Sequence, residues 1–319
     1  MQRQKNEPLD DIQRRAFEAV VASFLLTFYE DDAGEPSEND NDYHRSYREE
    51  FNNLRTLMGT EQQQLICLLH GPGGSGKSTV LNHVIAYAKE FCENLGHEFT
   101  RRTIIITAMS GVAATLINGE TTHSALGLNR KTIDEEMKEQ WIDARLVFID
   151  EISFASKRDF VKMNDNLKEL TGRGRFQNYG GINMIFAGDY SQLEPVGKEP
   201  IYDGKYCPEF FDFVNCFIEL NGMHRFKTDM TWGRILRRFR EGSPTQEDIE
   251  TINSACLAYR RNVPRGIQVA CYTNMERSAV NCNVFEQYCE ERRPPDGDII
   301  NSAALIMMDN LKHRTATKS

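Results

Sequence analysis

At 319 residues, with 40% hydrophobic and 27% charged side chains, the chain has a globular rather than a disordered balance and room for two domains of about 100–200 residues each. Its net charge of −9 argues against indiscriminate coating of nucleic acid, but not against a local basic groove: residues 221–319 carry 15 Lys and Arg against 12 Asp and Glu, a balance of +3, while residues 1–220 stand at −12. The longest apolar stretch, Val20 to Leu26, is far short of the roughly 20 residues that cross a bilayer. The opening "MQRQKNEPLDD" has no apolar signal-peptide core, and a soluble intracellular protein with no membrane partner is expected.

Residues 9–29 have apolar positions at helical spacing behind an Asp cap, which predicts a helix. Residues 30–43, "EDDAGEPSENDNDY", hold seven acidic residues and no basic one, the signature of a solvated loop. From residue 65 short apolar strands, "LICLLH", "TIIITA", "RLVFID" and "INMIFAGD", alternate with helical patterns. That rhythm predicts a parallel α/β sheet, whose ligands gather at the carboxyl ends of the strands. After about residue 222 a second unit is expected: helices over 231–242 and 245–261, a strand at 267–273 and a helix over 274–289. The eight cysteines, at 67, 92, 207, 216, 256, 271, 282 and 289, show no C-x-x-C pair and no cysteine-histidine cluster at zinc spacing, and read as buried thiols.

The stretch "LICLLHGPGGSGKST", residues 65–79, contains G-x-x-x-x-G-K-[ST] between a predicted strand and a predicted helix. A triphosphate pressed against backbone N–H groups tolerates few side chains, which explains Gly71, Gly73, Gly74 and Gly76, with Ser75 and Thr79 completing the loop. Lys77 would neutralise the β- and γ-phosphates of ATP, and Ser78 would hold Mg²⁺ through its hydroxyl. "RLVFIDEIS" ends a strand with Asp150, a second Mg²⁺ ligand, and Glu151, which would orient or deprotonate the attacking water.

Five stretches taken in order make the chain resemble the Pif family of superfamily-one DNA helicases, five-prime-to-three-prime motors related to RecD. "LDDIQRRAF" places Gln13 at the family's adenine-reading glutamine. "TAMSGVAATLINGETTHSALGL", residues 107–128, is similar to the segment that grips single-stranded DNA, which implies contacts from Ser110, Gly111, Thr122, His123 and Ser124. "GDYSQLEPV", residues 188–196, matches the sensor segment, with Gln192 toward the γ-phosphate and Asp189 tying the site to the DNA track. "ELNGMHRFKTDMTWGRILRRFREG", residues 219–242, resembles the entry to the second motor domain, with Arg225 as the arginine that stabilises charge on the transferred phosphoryl. In its helix Trp232, Ile235, Leu236 and Phe239 share one face, so Arg234, Arg237, Arg238 and Arg240 are expected to face solvent. "QVACYTNMERSAVN", residues 268–281, follows, with Thr273 and Asn274 as backbone-contact candidates.

The resemblance implies a P-loop NTPase of α/β class, with a first RecA-like ATP-binding domain over 1–222 and the start of a second RecA-like domain over 223–319. It also implies ATP-driven movement on single-stranded DNA and opening of duplex junctions, in repair, recombination or telomere upkeep, in the nucleus or a mitochondrion if the source is eukaryotic. The family's Thr-x-His-Lys-x-Gln-Gly and Ala-Leu-Ser-Arg type segments do not occur here. The second domain therefore reads as incomplete, as in a fragment, a truncated product or a decayed copy, in which nucleotide binding would outlast unwinding. The competing classes are a non-unwinding nucleotide- and DNA-binding module and a small-molecule kinase, the latter giving no role to residues 108–128 or to Gln192.

Overall fold

Apolar side chains alternate between the two faces of each central strand, so the sheet must be covered on both sides. The computed structural model describes residues 8–28, 64–172, 176–259, 271 and 273–291. Strands β1 (Ile66–His70), β2 (Ile104–Ala108), β3 (Glu120–Thr121), β4 (Leu146–Asp150), β5 (Asn183–Gly188) and β6 (Cys216–Glu219) form a parallel sheet in the order β3-β2-β4-β5-β1-β6. The register aligns the carboxyl ends: His70 is opposite Gly188 on one side and Glu219 on the other, and Ala108 is opposite Asp150. The sequence reading found β1, β2, β4 and β5; β3 and β6 are additional edge strands.

The helices are α1 (Asp11–Leu26), α2 (Lys77–Leu95), α3 (Gly111–Leu116), α4 (Thr122–Ala125), α5 (Glu135–Glu139), α6 (Lys157–Thr171), α7 (Pro208–Phe211), α8 (Met230–Arg240), α9 (Gln246–Tyr259) and α10 (Asn274–Glu291). α1 starts at a capping box: the Asp10 carboxylate accepts from Ile12 N and Gln13 N, and Gln13 Oε1 accepts from Asp10 N. α1 and α2 cover one sheet face, where Phe24 and Phe91 pack with Cys67, Leu69, Phe148 and Ile185. α6 covers the other, with Phe160, Met163 and Leu167 against Val147, Ile149, Met184 and Phe186. Burial of each such large apolar side chain is worth about 1.5–3 kcal/mol.

Two compact units divide the chain, Met1–Arg240 and Glu241–Ser319. The sequence reading places the boundary after residue 222; the compact first unit extends to Arg240, whose guanidinium binds Asp189, while His224 N donates to Gly74 O. In the second unit α10 is capped reciprocally by Thr273 and Glu276, so the Thr273 hydroxyl and amide are occupied within the helix start. The acidic segment 30–43 and, apart from Cys271 and Thr273, the expected strand at 267–273 lie outside the described residues. No described helix is long and apolar enough to cross a membrane.

Candidate functional site

The loop from Gly71 to Gly76 leaves the carboxyl end of β1 and enters α2 at Lys77. Gly71 N donates to Gly188 O at 3.1 Å, and Ser75 N donates to Pro72 O at 3.1 Å. Gly74 (φ 86°) and Gly76 (φ 98°) occupy the left-handed region, and both are crowded: an added Cβ would stand 2.4 Å from Arg225 Cβ at residue 74 and 2.0 Å from Gln13 Nε2 at residue 76. The glycines thus let two remote segments close on the loop as well as baring its amides. The Ser75 hydroxyl is buried with no hydrogen-bond partner.

Lys77 Nζ donates to Gly71 O at 2.6 Å and Pro72 O at 3.3 Å. Burial pushes its ammonium below the ordinary lysine range, while the carboxylates of Asp150, Glu151 and Asp189 act in the opposite direction. Asp150 ends β4 and accepts from Glu151 N at 2.9 Å; burial nevertheless lifts its carboxyl above the usual range. Glu151 is raised too, by burial first and by the Asp150 charge second, and it sits at φ 54°, a conformation uncommon for a non-glycine residue. Ser78 lies exposed in the first turn of α2.

Gln192 and Arg225 converge on the same loop. A Cβ at Gly73 would lie 3.1 Å from an Arg225 guanidinium nitrogen and 3.9 Å from Gln192 Nε2. Arg225 belongs to a short 3-10 turn, residues 224–226, tethered by His224 N donating to Gly74 O at 3.0 Å. Gln13 is 2% exposed; its Nε2 donates to Ser75 O at 3.3 Å and lies 3.1 Å from His224 Nε2. With Oε1 bound by Asp10 N, the amide expected to read adenine instead braces α1 against the loop.

Sequence reasoning missed what Arg240 does. Its guanidinium grips Asp189, with Nη2 to Oδ1 at 2.8 Å and Nε to Oδ2 at 3.1 Å. Arg240 therefore does not share the solvated face expected of the α8 arginines, and Trp232, Leu236 and Phe239 are each more than a third exposed. The available signal was spacing: Arg240 falls seven residues after the buried Gly233, on one stripe of α8. His70, the last residue of β1, was also overlooked; its Nε2 accepts from Tyr190 N at 3.3 Å, and burial lowers its pKa.

The expected DNA-gripping residues separate into two groups. Gly111 is exposed with open space around it, Ser124 is exposed, and Ser110 caps α3 by accepting from Ala113 N. His123 is partly exposed, 3.9 Å from Asp159, with its pKa lowered chiefly by burial. Thr122 is a correction: it is fully buried, and its hydroxyl donates to Thr107 Oγ1 at 3.1 Å, so it fixes the β3–α4 corner from inside instead of facing a polynucleotide.

A glycine loop joining strand to helix at the carboxyl edge of a parallel sheet defines the P-loop class. Within that class, a family model described as PIF1-like helicase matches residues 48–207. The chain belongs to this family. It is 30% identical over 217 residues to the ATP-dependent DNA helicase RRM3 of Saccharomyces cerevisiae, a match covering 63% of this chain and 27% of that protein. The fold is shared with the crystal structure of Pif1 helicase from Candida albicans, at a TM-score of 0.60 and 20% identity, covering 87% of this chain and 54% of that one. It is shared also with Bacteroides Pif1 in complex with ADP-AlF3 and ssDNA, at 0.54 and 21%, covering 74% and 56%. The chain spans about a quarter of the length of the curated relatives it matches.

Proposed function

We propose that this chain is the ATP-hydrolysing motor portion of a Pif1-type DNA helicase, acting on single-stranded DNA and duplex junctions. The observation that carries the reading is the meeting at Gly73 of the Arg225 guanidinium and the Gln192 amide, beside a P-loop whose Lys77 is flanked by Asp150 and Glu151. These groups come from four separate segments of the sequence, and a glycine turn serving only the fold has no use for them.

The loop fits a phosphate chain. The amides of Gly73, Gly74 and Gly76 are unspent among the described residues, Gly74 and Gly76 hold conformations that present them, and the orphaned Ser75 hydroxyl is an available donor. Mg²⁺, when bound, neutralises charge on phosphate oxygens; the Ser78 hydroxyl and the Asp150 carboxylate are the oxygen donors that would hold it. Glu151, made more basic by burial and by Asp150, is suited to take a proton from water. Arg225 supplies fixed positive charge beside Gly73, and arginines so placed are worth about 10³–10⁵ in rate.

Ser110, Gly111, His123 and Ser124 are the residues assigned to DNA, and support for that partner comes from the Bacteroides relative crystallised with ssDNA. The test is calorimetry with Mg²⁺–ATP, followed by turnover with and without single-stranded DNA, for the parent chain, Lys77→Ala and Arg225→Ala. DNA-stimulated turnover lost in both variants is the expected result. Uptake of ATP without stimulated turnover would reduce the chain to a binding module, and no magnesium-dependent uptake would overturn the reading.

A further inference from the structure

Asp189 is 1% exposed, and both of its oxygens are fully engaged. Oδ1 accepts from Ser191 N at 3.0 Å and from Arg240 Nη2 at 2.8 Å; Oδ2 accepts from Gln192 Nε2 at 2.9 Å and from Arg240 Nε at 3.1 Å. His70 Nε2 lies 3.6 Å from Oδ1. Each oxygen therefore takes one guanidinium N–H and one donor from the 191–192 turn. Gln192 is itself exposed, and this bond to Asp189 is what orients its amide near Gly73. One amide N–H is spent on Asp189, leaving the second N–H and the carbonyl oxygen to meet a ligand on the loop.

We propose that Arg240 is a positioning residue for Gln192: by forking onto Asp189 it keeps that buried carboxylate ionised and aligned, so that the carboxylate holds the Gln192 amide at the terminal-phosphate end of the P-loop. A buried carboxylate deprived of its cation takes up a proton or turns toward water, and either change weakens and misaligns the bond that holds Gln192. The fork is also geometrically demanding. Two nitrogens address two oxygens, which a lysine ammonium cannot reproduce. Arg240 is held in turn by α8, where Ile235 is buried and Gly233 packs on Phe226, the residue after Arg225. Both arginines that approach the site are thereby fixed by one helix, Arg225 just before it and Arg240 at its last residue.

This inference rests on the nucleotide reading above, and its test separates the two. Calorimetry with Mg²⁺–ATPγS and Mg²⁺–ADP is run on the full chain, Arg240→Ala, Arg240→Lys, Gln192→Ala and the Gln192→Ala/Arg240→Ala double variant, together with DNA-stimulated kcat. Arg240→Ala is expected to keep ADP affinity within about twofold while losing roughly tenfold or more in its affinity for ATPγS, with KM for ATP rising in parallel and kcat falling as well. Arg240→Lys should fall between Arg240→Ala and the parent, and it carries the test if Arg240→Ala melts below the assay temperature. The double variant should match Gln192→Ala within about twofold, since the effect of Arg240 passes through that amide. An unchanged ATPγS-to-ADP ratio in Arg240→Ala, or a further large loss when it is added to Gln192→Ala, overturns the assignment while leaving the motor reading intact. A parent chain that takes up neither nucleotide overturns both.

Discussion

Gln13 Nε2 lies 3.1 Å from His224 Nε2, and the two side chains meet over Gly76, although 211 residues separate them in sequence. The phosphate loop is therefore clamped from outside by the N-terminal helix and by the turn that carries Arg225. His224 Nε2 also lies 3.3 Å from Asp10 Oδ2, so the cap of α1 belongs to the same clamp.

Gly76→Ala is the sharpest test of that clamp. The new methyl would collide with Gln13 Nε2 in a backbone conformation that L residues avoid, with an expected cost of about 1–3 kcal/mol in stability. Denaturant unfolding measures the loss, and nucleotide affinity should fall with it. An alanine variant of unchanged stability would show that Gln13 yields freely.

Acid should act through Asp189. Burial works against its charge, but the Arg240, Gln192 and Ser191 hydrogen bonds outweigh it and hold the carboxyl down to about 2. A folded-state pKa depressed below the unfolded value of about 4 contributes roughly 2 kcal/mol that is complete above that value and is lost as pH falls toward 2. Melting temperatures followed across that interval should fall less steeply in Asp189→Asn, which will also start lower because Arg240 has lost its anion. Parallel acid limbs in the two proteins would contradict this.

Thr122 and Ser124 should behave oppositely despite their proximity. Thr122→Val removes a buried hydroxyl bonded to Thr107 and is expected to cost about 1 kcal/mol with little effect on DNA affinity of the folded protein. Ser124→Ala should leave the melting temperature alone and weaken oligonucleotide binding. Fluorescence anisotropy with a labelled oligonucleotide distinguishes these outcomes.

Among Cys67, Cys92, Cys207 and Cys216, the last should react first. Cys67 and Cys216 are register partners on β1 and β6; the hydrogen bond from Cys67 holds Cys216 below the ordinary thiol range, and the same bond together with burial lifts Cys67 well above it. Cys207 and Cys92 are pushed up to about 11, by burial first. Iodoacetamide at neutral pH, read by peptide mass spectrometry, should therefore modify Cys216 ahead of these three. Equal labelling of Cys67 and Cys216 would refute the pairing.

The phosphate loop and the strands around it were legible because backbone chemistry leaves few alternatives: only glycine tolerates the conformations at 74 and 76, and β1, β4 and β5 are apolar on both faces. β6 was not legible, since Cys216–Glu219 alternates half-buried and exposed residues over only four positions. Helical periodicity found α8 but misjudged its face. The spacing of Trp232, Leu236 and Phe239 marks an apolar stripe without saying what covers it, and a long arginine at the helix end can reach a buried acid that no local pattern reveals. Thr122 failed for a related reason: a hydroxyl in a polar run looks exposed until a second hydroxyl, Thr107, is brought beneath it by the sheet.

The placement of β6 bears on how the chain is made. Cys67 and Leu69 wait for Cys216 and Ile218 before β1 has both neighbours, and Leu220 then closes on Gly71. A ribosome-bound chain that has not yet extruded those residues carries its nucleotide loop on an open sheet margin, the kind of surface that recruits stray strands. Translation must pass the Arg225 turn before the loop gains its final shape, so premature arrest upstream yields a sticky intermediate instead of a smaller working site.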